Sequence, residues 1–433
     1  MEKNKKRHVI LSKALLTLAL ACTVLFAGGI MAKAETGDIT APGQVTGVKQ
    51  TKASIDSVSL AWNALSDSGV RYSIQIYDRG EWVEEKTTAN TKTTISGLAS
   101  GTAYKVRVLS YLNNGSKVYG KESAVLEVVT APSAAPKSLK HTKSTYTSIT
   151  VKWSKISGVN TYLVKYGKAG ASSKTYKKVT TKGTSLVLKN LSKNTKYNVY
   201  VYAGRKTSDG SFAAYASSYT TLSGISVRPY KVSSLTVPNY ADTQGKMHVS
   251  CKANKAADGY EWQVYTAYKK KDTKVASKAS ISNFSEISKS ALKKSNFYKV
   301  RVRAYCKDSN GRKYSSPWTS WKYVCPQMKL RLQPLYTIKF NYGSPSEVIF
   351  NGIAVGWDKV QGADRYVVYI STKKKSGYEK VATTTGTGTD IAKYKNSKLK
   401  KGKTYYIKVA AQKKVGKKYY TGTADNYYSF SFK

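Results

Sequence analysis

One stretch of the chain occurs four times, and its first copy reads Leu98-Ala-Ser-Gly-Thr-Ala-Tyr104-Lys-Val106-Arg-Val108. Each copy is a leucine, five mostly polar residues, a tyrosine, and then a strict alternation of apolar and polar residues. The other copies run from Leu191 to Val201, from Leu292 to Val302 and from Leu399 to Val409. Such alternation indicates a β-strand with one buried face. Four copies with the same leucine-to-tyrosine spacing predict four units built on one plan.

The tyrosine of each copy is placed to hold a corner of a β-sandwich. A polar step between a leucine and a strand carries the chain from one sheet to the other, and the tyrosine hydroxyl can bond the backbone upstream. The pattern resembles the fibronectin type III domain family, whose corner has the form Leu-x-x-Gly-Thr-x-Tyr-x-Val-x-Val. The resemblance implies an all-β chain of tandem immunoglobulin-like sandwiches. It also implies a structural role for the four corner tyrosines, Tyr104, Tyr197, Tyr298 and Tyr405.

Residues 1–34 have the features of a secretory signal peptide. A basic start is followed by an apolar run from Ala14 to Met31, and Ala32-Lys33-Ala34 forms a cleavage signature. An uncleaved membrane anchor is the alternative, because the apolar run approaches the ~18 residues of a spanning helix. We expect a secreted, extracellular protein, with the cell wall as one place of attachment and no transmembrane segment after signal removal.

Successive motif leucines are 93, 101 and 107 residues apart, the size of one immunoglobulin-like sandwich. We predict fibronectin type III-like domains at 41–131, 132–224, 225–327 and 328–433, the third of them divergent. In three domains a tryptophan (Trp62, Trp153, Trp357) should face the core from an early strand, and Cys251 takes that position in the third. We expect a long irregular lead-in to the fourth domain, with a loop at Gly343-Ser-Pro345-Ser.

The cysteines do not form a disulfide scaffold, because only three remain once the signal peptide is removed. Cys306 lies eight residues after Tyr298 and so should share its buried face, which would place it and Cys251 in one core. Two alternatives stay open for this pair: two small buried hydrophobic residues, or a disulfide bond. Cys325, at the end of the last strand, should stay unpaired.

Sequence patterns that carry catalysis are missing. The chain after the signal peptide has two histidines, His141 and His248, and no segment supplies a serine or cysteine relay. No zinc spacing, phosphate-binding glycine loop or calcium loop occurs. We therefore predict that the protein is not an enzyme, binds no metal and needs no cofactor.

Charge is the most informative feature of the composition. The chain has 73 Lys and Arg against 24 Asp and Glu, a net charge of +49. By predicted domain the balance is +2, +15, +14 and +15, whereas solubility requires a net charge of only about 2 to 8 on a small domain. One explanation of the excess positive charge is a solvated lysine-rich surface that protects edge strands from pairing with other chains. A surplus in three consecutive domains favours an anionic partner instead: an anionic cell-wall polymer or an acidic polysaccharide, with nucleic acid bound only non-specifically.

Lysines concentrate in two loops that this fold brings to one end of each domain, the turn after the third strand and the corner loop. The candidates are Lys269, Lys270, Lys271, Lys293 and Lys294 in the third domain, and Lys373, Lys374, Lys375, Lys400, Lys401 and Lys403 in the fourth. We predict that they bind anions, although turns collect lysines in any case. Lys413, Lys414, Lys417 and Lys418 should lie at the opposite end.

Two classes of function follow. The first is a secreted, non-catalytic binding or adhesion protein, held electrostatically to anionic cell-wall polymers or matrix polysaccharide. The alternative is a structural spacer or accessory subunit of an extracellular glycan-degrading assembly, with a separately encoded extracellular enzyme as partner. A ligand site at fixed loops favours the binding protein, and diffuse charge without an aromatic cluster favours the spacer.

Overall fold

The computed structural model describes residues 40–237, 246–267, 271–288, 290, 292–293, 296–324, 328–342, 344–421 and 427–431. These residues form antiparallel β-strands, with one short 3-10 turn at Ser173–Thr175. The predicted signal peptide and Cys325 lie outside the described residues. One strand plan occurs four times, and we name the four copies repeats 1 to 4. The prediction of an all-β fold of immunoglobulin-like sandwiches is confirmed.

Repeat 1 consists of eight strands in two sheets. They are Lys49–Ala53 (β1), Ser57–Ala61 (β2), Arg71–Asp78 (β3), Glu81–Thr88 (β4), Lys92–Ser96 (β5), Ala103–Asn114 (β6), Ser116–Tyr119 (β7) and Leu126–Val129 (β8). One sheet has the order β1-β2-β5; the other has the order β4-β3-β6-β7, with β8 also paired to β6. Both sheets contribute to one core, with Leu60 from β2, Ile74 from β3 and Val106 from β6. This is a seven-strand sandwich whose last strand is divided into β7 and β8.

Repeat 2 has the same strand order. Its strands are Lys140–Ser144 (β9), Ile149–Lys152 (β10), Thr161–Lys168 (β11), Lys177–Thr181 (β12), Ser185–Leu188 (β13), Lys196–Lys206 (β14), Ala213–Tyr215 (β15) and Thr220–Ser226 (β16). The sheets run β13-β10-β9 and β12-β11-β14-β15, with β16 on β14. Trp153, in this repeat, is 5% exposed, as the sequence predicted.

Repeat 3 departs from the plan on its smaller sheet. Its strands are Lys246–Ser250 (β17), Gly259–Thr266 (β18), Lys274–Ser280 (β19), Phe284–Ser288 (β20), Tyr298–Lys307 (β21), Lys313–Ser315 (β22) and Lys322–Val324 (β23). Among the described residues β17 pairs with β20 in the smaller sheet, and Thr236 forms an isolated antiparallel bridge with Ser250. The larger sheet keeps the order β19-β18-β21-β22 with β23 on β21. Trp262 of β18 is fully buried in the same core as Cys251. In repeat 3 the core tryptophan therefore comes from β18, the strand that follows Cys251 in the chain.

Repeat 4 is the longest. Its strands are Leu330–Asn341 (β24), Ser344–Trp357 (β25), Arg365–Ser371 (β26), Glu379–Thr384 (β27), Gly388–Ile391 (β28), Lys393–Tyr394 (β29), Ser397–Lys398 (β30), Thr404–Val415 (β31), Lys418–Thr421 (β32) and Tyr428–Ser431 (β33). The two main sheets run β24-β25-β28 and β27-β26-β31-β32, with β33 on β31; β29 and β30 form a small extra pair.

The expected irregular lead-in to repeat 4 is wrong. β24 and β25 form a long hairpin, paired from Leu330 opposite Trp357 to Asn341 opposite Ser344. The segment is rich in β-branched and aromatic residues, which favour strands. Pro345 is accommodated because it lies beside the turn, where a missing N–H is tolerated.

The described chain divides into two compact units. The first comprises the described part of Met1–His141 with Thr150–Val187 and Tyr197–Gly224; the second comprises Thr142–Ile149, Leu188–Lys196 and the described part of Ile225–Lys433. Repeat 1 lies in the first unit, and repeats 3 and 4 lie in the second. The division into four domains at the boundaries given above stays a prediction.

Three of the four corner tyrosines accept a hydrogen bond from their loops through the hydroxyl. The N–H one residue after the leucine donates to this oxygen in three repeats. The pairs are Ala99 with Tyr104 at 2.7 Å, Lys293 with Tyr298 at 3.0 Å and Lys400 with Tyr405 at 3.0 Å. In repeat 2 the ring of Tyr197 is likewise buried.

A second tyrosine acts in the same way, and the sequence analysis did not assign it this role. In all four repeats a tyrosine early in the third strand accepts a hydrogen bond from the preceding loop. The donors are the backbone N–H groups of Leu65 to Tyr72 (3.3 Å), Ile156 to Tyr162 (3.2 Å), Asn254 to Tyr260 (2.7 Å) and Val360 to Tyr366 (2.9 Å). In repeats 1, 3 and 4 tyrosine hydroxyls therefore hold two loops of each sandwich.

Replacing Tyr405 separates the two contributions of the corner tyrosine. Tyr405→Phe should lower the free energy of unfolding by about 1 to 2 kcal/mol, because the Lys400 N–H loses its acceptor. Tyr405→Ala should cost about 3 to 5 kcal/mol, since a buried ring is also deleted. Denaturant unfolding measures both values. Tyr342→Phe, at a fully exposed tyrosine of the same repeat, is the control; a Tyr405→Phe effect no larger than this control contradicts the role of the hydroxyl.

Candidate anion-binding site

The lysine loops of repeat 4 lie side by side. Lys373, Lys374 and Lys375 follow the end of β26, and the corner loop precedes the start of β31. Ser371 and Tyr406 are directly paired across these two strands, and paired strands are about 4.8 Å apart. The turn and the corner are therefore neighbours at one end of the sandwich. We name this end the repeat 4 pole: Lys373, Lys374, Lys375, Lys400, Lys401 and Lys403, all exposed.

Aromatic side chains border the pole. The Lys374 ammonium lies 5.5 Å from the ring centre of Tyr427, and the Tyr427 hydroxyl beside it raises the pKa of Lys374, so this lysine stays charged. The Tyr378 hydroxyl donates to the carbonyl of Lys374 at 2.9 Å. Among the described residues, no carboxylate forms an ion pair with Lys373, Lys375, Lys400 or Lys403. These four lysines make the pole positive.

The equivalent set in repeat 3 is less complete. Lys269, Lys270 and Lys294 lie outside the described residues, and Lys271 and Lys293 are exposed. The turn and the corner again meet, because the N–H of Ala267 donates to the carbonyl of Phe297 at 2.9 Å. However, Phe297 is fully buried within the core of repeat 4, and its N–H donates to Gln361 at 2.9 Å. Part of this end is therefore occupied by protein contacts.

The second lysine group of repeat 4 lies at the far end of the same strand. Lys413 and Lys414 lie near the end of β31, Lys417 lies in the turn that follows, and Lys418 begins β32. Eleven residues separate Thr404 from Val415, which corresponds to roughly 36 Å of extended strand. The Lys413 ammonium donates to the carbonyl of Gly362 at 3.2 Å. This group is separate from the repeat 4 pole.

Many other cations are stacked on aromatic rings of the sheet surface, which the sequence analysis missed. The Arg301 guanidinium lies 4.5 Å from the ring centre of Trp318 and 4.4 Å from that of Trp321. Similar pairs join Arg107 with Trp82 (4.5 Å), Lys165 with Tyr202 (4.6 Å) and Arg365 with Tyr419 (3.4 Å). The sequence could have indicated these cations, because basic residues alternate along the long strands. It could not indicate which ring each cation contacts, because that depends on how the strands pair. These cations already have partners, so the net charge overstates the number available to a ligand.

Neither cysteine of repeat 3 is bonded to the other: Cys251 and Cys306 are both buried, free thiols. The disulfide alternative is wrong because the two sulfurs lie in different surroundings. The Cys251 sulfur is 3.5 Å from the Asn283 carbonyl, whereas the Cys306 sulfur is 3.9 Å from the carbonyl of Ser226. Burial raises the pKa of each thiol to about 12.

The two histidines after the signal peptide lie in different environments. His248 is exposed, with its Nε2 3.9 Å from a Glu286 carboxylate oxygen, and His141 is buried. Among residues 40–431 that the structure describes, no cluster of three or more His, Cys, Asp or Glu side chains could hold a metal ion.

Alkylation tests the state of the cysteines. At pH 8 the folded protein should react with iodoacetamide very slowly at Cys251 and Cys306, because a thiol with a pKa near 12 is almost entirely protonated and buried. Both should react fully in guanidinium chloride. Peptide mapping by mass spectrometry reads the two sites separately. Rapid labelling of the folded protein, or a peptide pair linked through both residues, contradicts this assignment.

The chain is similar in part to proteins of known type. A family model described as Fibronectin type III domain matches residues 42–129 and 134–218. Neogenin of Rattus norvegicus is 28% identical over 178 residues, 38% of this chain and 13% of neogenin. Chitinase A1 of Niallia circulans is 28% identical over 193 residues, 42% of this chain and 26% of that enzyme. The chain thus matches about a quarter or less of the length of these relatives.

Solved structures of similar type include the chicken CNTN1 FN1–FN3 domains, with a TM-score of 0.28, 17% identity and coverage of 66% of this chain and 99% of that one. A two-domain fibronectin type III segment of chicken tenascin has a TM-score of 0.22 and 20% identity, covering 41% of this chain and 98% of that one. No helix in the described part of the chain is long and apolar enough to cross a membrane. The two tandem segments at 42–129 and 134–218 are therefore identified as fibronectin type III domains.

Proposed function

We propose that this chain is a secreted, non-catalytic binding protein, held by charge to an anionic polymer of a cell wall or matrix. Fibronectin type III domains are typically non-catalytic, and tandem copies fit a binding or spacer role. The observation that carries the proposal is the repeat 4 pole, where exposed lysines from two loops lie side by side. Four of them, Lys373, Lys375, Lys400 and Lys403, form no ion pair with a carboxylate among the described residues.

Electrostatics supports a ligand of opposite sign. Like charges held together raise the local potential and attract counter-ions. A polyanion that neutralises several lysines at once releases its own counter-ions, so binding should weaken steeply with salt. The three basic regions at 132–224, 225–327 and 328–433 would add contacts along one polymer, which strengthens retention through multivalency.

A spacer or accessory subunit of a glycan-degrading assembly is the second candidate. The match to chitinase A1, an enzyme named for its action on chitin, favours it, with a separately encoded enzyme as partner. In that case the positive charge of the chain would serve only to retain it on an anionic cell surface. Co-sedimentation of the purified protein with cell walls, before and after chemical removal of their anionic polymers, separates the two. Loss of sedimentation after removal supports electrostatic retention; unchanged sedimentation contradicts it.

Substitution of the pole provides a sharper test. Replacing Lys373, Lys375, Lys400 and Lys403 with Gln should weaken wall binding at low salt, and should lower the slope of log K against log salt by up to about 3 to 4. The control replaces four exposed lysines of repeat 2, Lys174, Lys177, Lys178 and Lys182, and removes the same charge. Binding isotherms at several salt concentrations give both slopes. Equal effects of the two variants would show that diffuse charge, and not the pole, holds the protein.

A further inference from the structure

Two clefts of the second compact unit meet along the connecting segment 231–235. The first has a volume of about 490 Å³ and is lined by four lysines: Lys193, Lys231, Lys252 and Lys255. The second has about 420 Å³ and is lined by Trp321, Tyr323 and Tyr420 together with Lys231 and Lys322. Because Lys231 and Val232 line both, the two clefts are contiguous. Their volumes are typical of ligand sites.

The lysine cleft is built on a fixed hydrogen-bonded framework. The side-chain amide of Asn254 donates to the Asn194 side chain at 3.1 Å and to the Tyr230 carbonyl at 3.2 Å. The Tyr230 N–H donates to the same Asn194 oxygen at 2.9 Å. These bonds join the corner loop of repeat 2, the connecting segment and the loop that follows β17. The backbone positions of the lysines that line the cleft are therefore fixed relative to one another.

The charge of this cleft is not compensated by neighbouring acids. All four lysines are exposed, and no carboxylate in the described ranges forms an ion pair with any of them. Asp258, three residues after Lys255, is already engaged: it accepts from the Lys196 ammonium at 2.7 Å and from the Lys307 N–H at 2.9 Å. Four like charges around one cleft favour an anionic occupant.

The second cleft has a different chemistry. The rings of Tyr323 and Tyr420 lie 4.5 Å apart at an interplanar angle of 33°, and Tyr420 remains 37% exposed. Trp321 is half-buried and packs edge-to-face against Tyr265 at 5.2 Å. A wall of aromatic rings with a few polar groups suits the apolar C–H face and the hydroxyl rim of a sugar ring.

We propose that the two clefts form one binding site for an acidic polysaccharide. The lysine cleft holds its carboxylate or sulfate groups, and the aromatic cleft holds a sugar ring farther along the same polymer. A polymer of phosphate alone would use only the first cleft, and a neutral glycan only the second. This inference rests on the proposed function and narrows its polymer class to one that carries charge on sugar.

Isothermal titration calorimetry with the full chain lacking 1–34 tests the polymer class. The probes are a hexamer of galacturonic acid, its methyl ester and inorganic polyphosphate. The galacturonate hexamer should bind about tenfold or more tighter than either of the others, because only it supplies both charge and sugar. Equal binding of polyphosphate, or of the neutral ester, overturns the proposal.

Variants locate the site. Combined Lys193→Gln, Lys252→Gln and Lys255→Gln should weaken galacturonate binding by about tenfold, whereas Lys174→Gln, Lys177→Gln and Lys178→Gln, which remove the same charge elsewhere, should change it less than twofold. Tyr420→Ser should weaken galacturonate binding and leave polyphosphate binding unchanged. Circular dichroism confirms folding, and the three-lysine variant keeps the test valid if Tyr420→Ser unfolds. Equal losses in the two lysine variants contradict the assignment.

Wall sedimentation of the same samples separates this inference from the proposed function. If the galacturonate hexamer does not bind but the protein still sediments with walls in a salt-dependent way, the cleft proposal fails and the proposed function stands. If the hexamer binds at the clefts but walls do not retain the protein, the proposed function fails.

Discussion

The hydrogen bond from a backbone N–H to a corner tyrosine hydroxyl is the constraint on which this chain is organised. A loop that crosses between two sheets leaves N–H groups without a strand partner, and such groups need an acceptor when they are buried. Tyr104, Tyr298 and Tyr405 each supply this acceptor. The rings of Tyr298 and Tyr405 also fill the core, and that of Tyr104 packs against it. The bond uses only the backbone of the loop, so the loop side chains are free to vary.

That freedom links the fold to the proposed function. In repeat 4 the corner loop carries Lys400, Lys401 and Lys403 to the pole. In repeat 2 the same loop contributes Lys193 to the lysine cleft and Asn194 to its framework. One rigid structural element thus presents different cations in different repeats, whereas cations on the sheet faces, such as Arg301 and Arg365, are stacked on rings. Under the proposed function, a polymer would therefore contact the loop lysines and not the cations stacked on the sheet faces.

Local patterns predicted most of the strands because alternation and corner spacing are encoded within about ten residues. The core of repeat 3 could not be predicted from the same pattern. Cys251 takes the position that Trp62 has in repeat 1, and Trp262 takes the position of Ile74, so the large side chain comes from a different strand. Large cores tolerate such exchanges when the total volume is kept. The β24–β25 hairpin was missed because Gly343 and Pro345 suggested a loop. The clefts could not be predicted, since Lys193, Lys252 and Tyr420 meet only through tertiary structure.

Hydrogen exchange at the corner amides tests the central claim most directly, because it reports the tyrosine bond without any substitution. The N–H groups of Ala99, Lys293 and Lys400 belong to residues outside the strands and would exchange rapidly if they faced water. The account predicts that they exchange as slowly as amides of the adjoining long strands, such as Val106 and Ile407, which lie in the cores. Exchange as fast as that of Lys375, in an exposed turn, would contradict it.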